Sequence, residues 1–344
     1  MEPFSQQARA AARRRPASVT RGGRPGAAKR DLIELSSLSR EELHGLLRLA
    51  ERLKAELRAG VEHRYLRGRT LAMIFEKPSL RTRLTFETGM AQLGGHAIYL
   101  GPQEVGLGTR EAVKDVARNL SRWVDLIMVR TFAHATCVEL AREASVPVIN
   151  GLTDLLHPCQ LLADLLTLRE RFGALERLRV AFVGDGFNVA QSWMEAAALL
   201  GFELRLACPQ GYEPKRRFAQ KLERAGRGFV TNDPARAVSG ADVLYTDAWT
   251  SMGQEKEAEQ RRRVFAGFQV NRKLLSRAGS RAIVMHCLPA HRGEEITDEV
   301  LDGARSAVLE QAENRLHAQK AAMLWLLKPE LLNLAAEGTS DKAR

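Results

Sequence analysis

The chain has 344 residues, enough for two domains with separate cores, and its 45% hydrophobic and 27% charged residues are those of a globular protein. No apolar run approaches a membrane span, and Cys137, Cys159, Cys208 and Cys287 lack the C-x-x-C spacing of a zinc site or a disulfide framework. The formal charge of +11 suggests nucleic acid only until it is located: residues 1–30 hold eight cations against Glu2, a local +7, which leaves the body at +4.

That first segment, rich in Ala, Gly, Pro and Arg and without a periodic apolar face, reads as a disordered basic extension. A mitochondrial transit peptide is the second reading, and a reducing, cytoplasmic setting fits the scattered cysteines best. From Asp31 the chain becomes orderly. Ser39 caps a helix to about Ala59, with Leu43, Leu46, Leu47 and Leu53 on one face. Leu71 to Phe75 is a short apolar strand. It leads through Lys77 to a helix capped by Ser79 and ended by Gly94 and Gly95. A helix N-terminus is already positive, yet this one adds Arg81 and Arg83, and such excess charge calls for an anion such as phosphate.

Strands follow at His96 to Leu100, Leu126 to Val129 and Pro147 to Asn150, separated by a Gly-rich loop (Gly101 to Thr109) and by helices at about 111–121 and 137–143. His157 precedes a bridging helix read from Leu161 to Arg171. A second run then gives strands Arg179 to Val183, Glu203 to Cys208, Val243 to Thr246 and Ala282 to His286, and a last helix from about Ala312 to Leu327. Alternation of this kind predicts an α/β protein of two domains, each with a mostly parallel sheet flanked by helices. The boundaries read as 31–155 and 156–311, with the last helix, about 312–328, returning to the first domain.

Ligands of open parallel sheets bind beyond the carboxyl ends of the strands. Those ends carry Ser79 to Arg83, Arg130, Asn188, Asp247 and Cys287. A lone strand-end arginine is ordinarily a snorkelling side chain, but Arg130 shares its half with the Arg-rich helix. His157, before Pro158, reads from the residues alone as a capping or buried histidine. Cys287 reads as core or as a reactive thiol, with no companion base visible. The turn Gly184-Asp-Gly-Phe-Asn188 lacks the third glycine and the ribose-binding acid of a dinucleotide site. Asp247, before Ser251-Met-Gly253, is placed to hold an ammonium. Cations for a phosphate in one half and an anion for an amine in the other suggest transfer from a phosphorylated donor to an amino acceptor.

Five segments carry a resemblance: Lys77-Pro-Ser-Leu-Arg-Thr-Arg83, His157-Pro-Cys-Gln160 with Leu162-Ala-Asp-Leu165, Asp247 with Ser251-Met-Gly253, His286-Cys-Leu-Pro289, and Glu313-Asn-Arg-Leu-His317. In their order and spacing the chain, from about Arg40 to Leu327, resembles the ornithine carbamoyltransferases. The resemblance implies an active site in the interdomain cleft, a homotrimer whose neighbours complete each site, and no cofactor, metal, membrane or nucleic-acid partner. Carbamoyl phosphate would meet Ser79, Leu80, Arg81, Thr82, Arg130, His157, Gln160, Cys287, Leu288 and Arg315. Of these, Arg81, Arg130, His157, Cys287 and Arg315 would be catalytic. L-ornithine would meet Asn188, Asp247, Ser251 and Met252. Leu80 stands where Thr is frequent, Phe187 where Asn is common, and Gly106 where Gln or His usually reaches a neighbouring subunit. The resemblance gives Arg83 no ligand contact, so it is expected to pair with an acid of its own fold or to meet a neighbour.

Overall fold

The computed structural model describes residues 29–251 and 253–332; the basic extension up to residue 28 and Met252 lie outside them. The first half contains α1 (Arg40–Arg58), β1 (Thr70–Phe75), α2 (Leu80–Gln92), β2 (His96–Leu100), α3 (Pro102–Val105), α4 (Val113–Trp123), β3 (Leu126–Arg130), α5 (His134–Glu143) and β4 (Val148–Leu152). After the bridging α6 (Pro158–Phe172) come β5 (Arg179–Val183), α7 (Asn188–Leu200), β6 (Glu203–Ala207), α8 (Arg216–Arg224), β7 (Gly228–Thr231), α9 (Pro234–Val238) and β8 (Val243–Thr246). The chain continues through α10 (Ala258–Phe265), α11 (Arg272–Leu275), β9 (Ile283–His286), α12 (Asp298–Leu301) and α13 (Val308–Leu327).

Both sheets are parallel, ordered β2-β1-β3-β4 and β7-β6-β5-β8-β9. Helices cover both faces, so β1 and β3 are apolar and buried almost throughout, whereas the edge strand β2 is half open. Each order has one point where successive connections leave in opposite directions: between β1 and β3 in the first sheet, and between β5 and β8 in the second. A crevice opens there at the carboxyl ends of the strands.

One apolar cluster runs from Leu46 and Leu53 of α1 through Phe86 and Met90 of α2 and the leucines of α6 to Trp193 of α7. Two more line the outer faces of the sheets, under α4 and α5 in one half and under α9 and α12 in the other. α13 returns across the molecule to pack on α6, α1 and α2. Its buried face includes Asn314, Arg315, His317 and Lys320, polar groups that a helix on one apolar core would not carry. Among the described residues, no helix is long and apolar enough to cross a membrane.

Several limits differ from the sequence expectation. α6 starts at Pro158, where proline's fixed φ suits the first helical turn and its missing N–H is not needed, and α13 starts four residues before Ala312. The helices read at 111–121 and 137–143 lie at Val113–Trp123 and His134–Glu143. The second sheet gains an unexpected edge strand, β7, which is only half-buried and so shows no apolar run.

Candidate active site

The first switch point gathers cations. Ser79 caps α2 with its hydroxyl accepting the Thr82 N–H at 3.2 Å, and the first turn has no acidic residue to neutralise the helix end. Arg81 stands in that turn. Arg130 ends β3, 5% exposed, its Nε buried without a partner. Arg315 arrives from α13, fully covered; it donates to Gln160 Oε1 at 2.6 Å and to Thr82 Oγ1 at 3.1 Å. Among the described residues none of the three forms a carboxylate ion pair. Burial lowers the Arg130 pKa to about 9, and the charges of Arg315 and Arg81 push it the same way. Burial also depresses Arg81 and Arg315.

His157 sits at the N-cap of α6, buried, its own N–H donated to Ser192 Oγ at 2.8 Å and its Nδ1 unpartnered. Its side chain does not cap the helix. Burial, reinforced by the three arginines, holds the imidazole pKa well below its usual value, so the ring is neutral at pH 7. Gln160 is fixed between Arg315 and Asp164, which takes its amide at 2.8 Å. The cluster therefore offers hydrogen-bond donors and unneutralised charge to an anion.

The second switch point supplies the opposing wall. Asp247, after β8, accepts the Ala248 N–H at 2.7 Å and the Cys287 thiol at 2.8 Å. Cys287 thus has an acidic companion, which the sequence did not reveal across 40 residues. Burial and the Asp247 charge raise its pKa well above the ordinary thiol value, so it remains a thiol that donates to Asp247 rather than a nucleophile. Asn188 opens α7 and donates to the Thr153 carbonyl at 2.7 Å, joining this half to the loop after β4. The Ser251 N–H donates to Gln254 Oε1 at 3.0 Å, while Met252 lies outside the described residues.

The turn carrying Cys287 and Leu288 is held from behind. The Leu288 N–H donates to His286 Nδ1 at 2.8 Å, which leaves the ring hydrogen on Nε2, 3.1 Å from the buried Glu295 Oε1. Leu288 has φ +57, a conformation disfavoured for a side chain with Cβ, and this amide bond holds it. Asp247, His286 and Cys287 lie close enough together for metal ligation, but both His286 nitrogens are already engaged.

The loops of this second wall share one clamp. Arg261 of α10, 5% exposed, donates to Asp185 Oδ2 at 2.6 Å, to the Trp249 carbonyl at 2.8 Å and to Glu257 at 3.1 Å. It thereby ties the loop before Asn188 to the loop between Asp247 and Ser251. Phe187 stands at the N-cap of α7 without a side-chain cap bond and lines a cavity of about 470 Å³ with Asp185, Tyr212 and Arg261. Gly106 ends α3 with φ +56, and a β-carbon there would lie 2.6 Å from Arg110 Cβ. A Gln or His at this position would need a different loop. Arg83 pairs with Glu87 of its own helix at 3.0 Å and stacks 4.0 Å over Tyr99.

A cationic wall and an acidic wall thus face each other across the cleft of a two-domain α/β protein. Comparison with known proteins gives this arrangement a lineage. Residues 30–170 match the carbamoyl-P binding domain, and residues 176–326 the Asp/Orn binding domain, of aspartate/ornithine carbamoyltransferases. The ornithine carbamoyltransferase of Thermus thermophilus is 53% identical over 307 residues, covering 89% of this chain and 100% of the relative. That of Methanoculleus marisnigri is 51% identical over 300 residues, covering 87% and 97%. The structure of the Pyrococcus furiosus ornithine carbamoyltransferase superposes with a TM-score of 0.84 at 50% identity, covering 87% of this chain and 97% of that one. The chain belongs to the aspartate/ornithine carbamoyltransferase family.

Proposed function

We propose that the protein transfers the carbamoyl group of carbamoyl phosphate to the δ-amine of L-ornithine, giving L-citrulline and phosphate in arginine metabolism. The observation that carries this is the trio of Arg81, Arg130 and Arg315 without acid partners, opposite Asp247 and Cys287. The first half, residues 31–155 with α13, holds carbamoyl phosphate: Ser79, Leu80, Arg81 and Thr82 grip the phosphate end, with Arg130, His157 and Gln160 around it. Leu80 contributes through its backbone, so the loss of a Thr hydroxyl there is tolerable. Cys287, Leu288 and Arg315 line the carbamoyl side. Residues 156–311 hold ornithine through Asn188, Asp247, Ser251 and Met252.

The neutral δ-amine attacks the carbamoyl carbon, a C–N bond forms, the C–O bond to phosphate breaks, and the one proton the amine loses leaves on the phosphate. Negative charge grows on the carbonyl oxygen and on the departing phosphate, where buried arginines and helix N–H groups stabilise it most. A neutral His157 adds a hydrogen bond without a further charge. Loss of a preorganised donor in such a site costs on the order of 100-fold in turnover.

The working unit is a homotrimer in the cytoplasm. Leu80 and Leu84, four residues apart on α2, are 69% and 50% exposed, and Ile98 on the edge strand β2 is 40% exposed. Apolar groups beside an unpaired strand edge are the composition of a subunit contact. A citrulline assay with carbamoyl phosphate and an amine panel tests the reaction. Ornithine is expected to be carbamoylated far faster than putrescine, acetylornithine or aspartate, and turnover of one of those without ornithine would overturn the assignment.

A further inference from the structure

We infer that Phe132 is a positioning residue for the acceptor amine: together with Lys77 it forms a seat, in the carbamoyl-phosphate half, for Gly253 of the opposite half. The inference rests on the reading of Ser251 as an ornithine contact. Phe132 follows Arg130 by two residues, and Lys77 precedes Ser79 by two, so the seat extends directly from both anion-binding segments.

Phe132 is 43% exposed, and an isolated exposed aromatic needs no explanation. This one is not isolated. The Lys77 ammonium lies 4.2 Å from its ring centroid, and Lys77, only 2% exposed, also pairs with Asp154. Asp154 in turn donates its N–H to the Phe132 carbonyl at 2.9 Å, closing the three residues into one unit. The ring edge meets the turn. A β-carbon on Gly253 would stand 3.3 Å from Phe132 Cε1 and 3.8 Å from Cδ1, and Gly253 has φ +94. The backbone conformation favours glycine there, and a β-carbon would crowd the ring by a few tenths of an ångström.

The turn is also closed from its own side. The Gly253 N–H donates to both carboxylate oxygens of Glu255, at 2.9 and 3.1 Å. That hydrogen bond lowers the Glu255 pKa, and the Lys77 charge adds to the effect. Gly253 thus lies between the Glu255 brace and the Phe132 ring, which stands on the side of the cleft that carries Ser79 and Arg130. Ornithine affinity therefore depends on an aromatic that need not touch ornithine.

Hydrogen–deuterium exchange on the ligand-free protein, paired with citrulline kinetics, tests the seat. Phe132→Ala should speed exchange at residues 251–257, while Phe132→Tyr should leave it near wild type. In turnover, Phe132→Ala should raise the ornithine KM roughly three- to tenfold, the range of one lost aromatic contact. The carbamoyl phosphate KM should move by less than about twofold, because uniform binding to the other substrate is untouched. Unchanged exchange at 251–257, or equal rises in both KM values, would overturn the proposal. Wild-type protein that makes no citrulline would instead defeat the functional reading, with the exchange result still deciding whether Phe132 holds the turn.

Discussion

Arg130 shows how a single residue separates stability from function. Its pKa, near 9, lies well below that of an ordinary arginine in the unfolded chain, so the folded protein binds this proton less tightly. The charge therefore opposes folding in full at every pH below about 9, and the opposition fades only above that value, as pH climbs toward the ordinary arginine range. Arg130→Met should consequently raise the melting temperature of the ligand-free protein while lowering citrulline turnover by about 100-fold or more. Millimolar phosphate should raise the wild-type melting temperature and leave the variant nearly unmoved, because only wild type offers the anion its full site. Thermal melts with and without phosphate read this directly; a variant that melts lower would make Arg130 a packing residue. The candidate was legible because a polar residue directly after an apolar strand marks the sheet's ligand end. What was not legible is pairing. Arg315 meets Gln160 across 155 residues and Cys287 meets Asp247 across 40, and no local pattern encodes contacts made by the fold's closure.

Elements were readable where burial imposes a period, and unreadable where it does not. β1, β3 and β5 stood out as continuous apolar runs because both of their faces are covered. β7, half-buried at a sheet edge, and α8, which buries only Phe218 and Leu222, offered too little apolar signal. The short α10 also passed unseen, although its Arg261 joins two loops of the wall that carries Asp247. Burial raises the Asp185 pKa to about 6, with the Arg261 charge opposing that rise. Since the folded state binds this proton more tightly than the unfolded one, the contribution of Asp185 to stability falls as pH climbs from about 4 to 6 and is level above that. Arg261→Ala leaves the buried carboxylate alone and should cost about 3–5 kcal/mol. Replacing both partners, Asp185→Leu with Arg261→Met, should recover much of that stability but not ornithine affinity, because the link to the Trp249 carbonyl stays broken. Denaturant unfolding and ornithine KM measured on both variants separate the two effects. Recovery of affinity in the double variant would show that the clamp serves stability alone.

At the scale of the molecule, one exposed apolar surface joins a helix to a sheet edge. α2 presents the anion-binding end at one extremity and carries Leu84 outward along its length, beside the half-open strand β2. Burying such apolar surface against a second copy would remove the exposed edge and bring a neighbouring chain within reach of the cleft. Gly106 bears on what that neighbour delivers, since its left-handed turn and the Arg110 side chain leave no room for the longer residue usual there. In the proposed trimer, the neighbour would cover Leu80 and Leu84 and shield the phosphate end from water, more than donate a side chain from position 106. Leu84→Lys should therefore shift the light-scattering mass from three copies of 38.2 kDa toward one. Leu84 is exposed in the single chain, so the monomer should keep its melting transition with only a modest loss, while citrulline turnover falls by roughly tenfold or more as the donor site opens to solvent. A wild-type chain that runs as a monomer with full turnover would refute the trimer. A Leu84→Lys protein that stays trimeric would place the contact on another face.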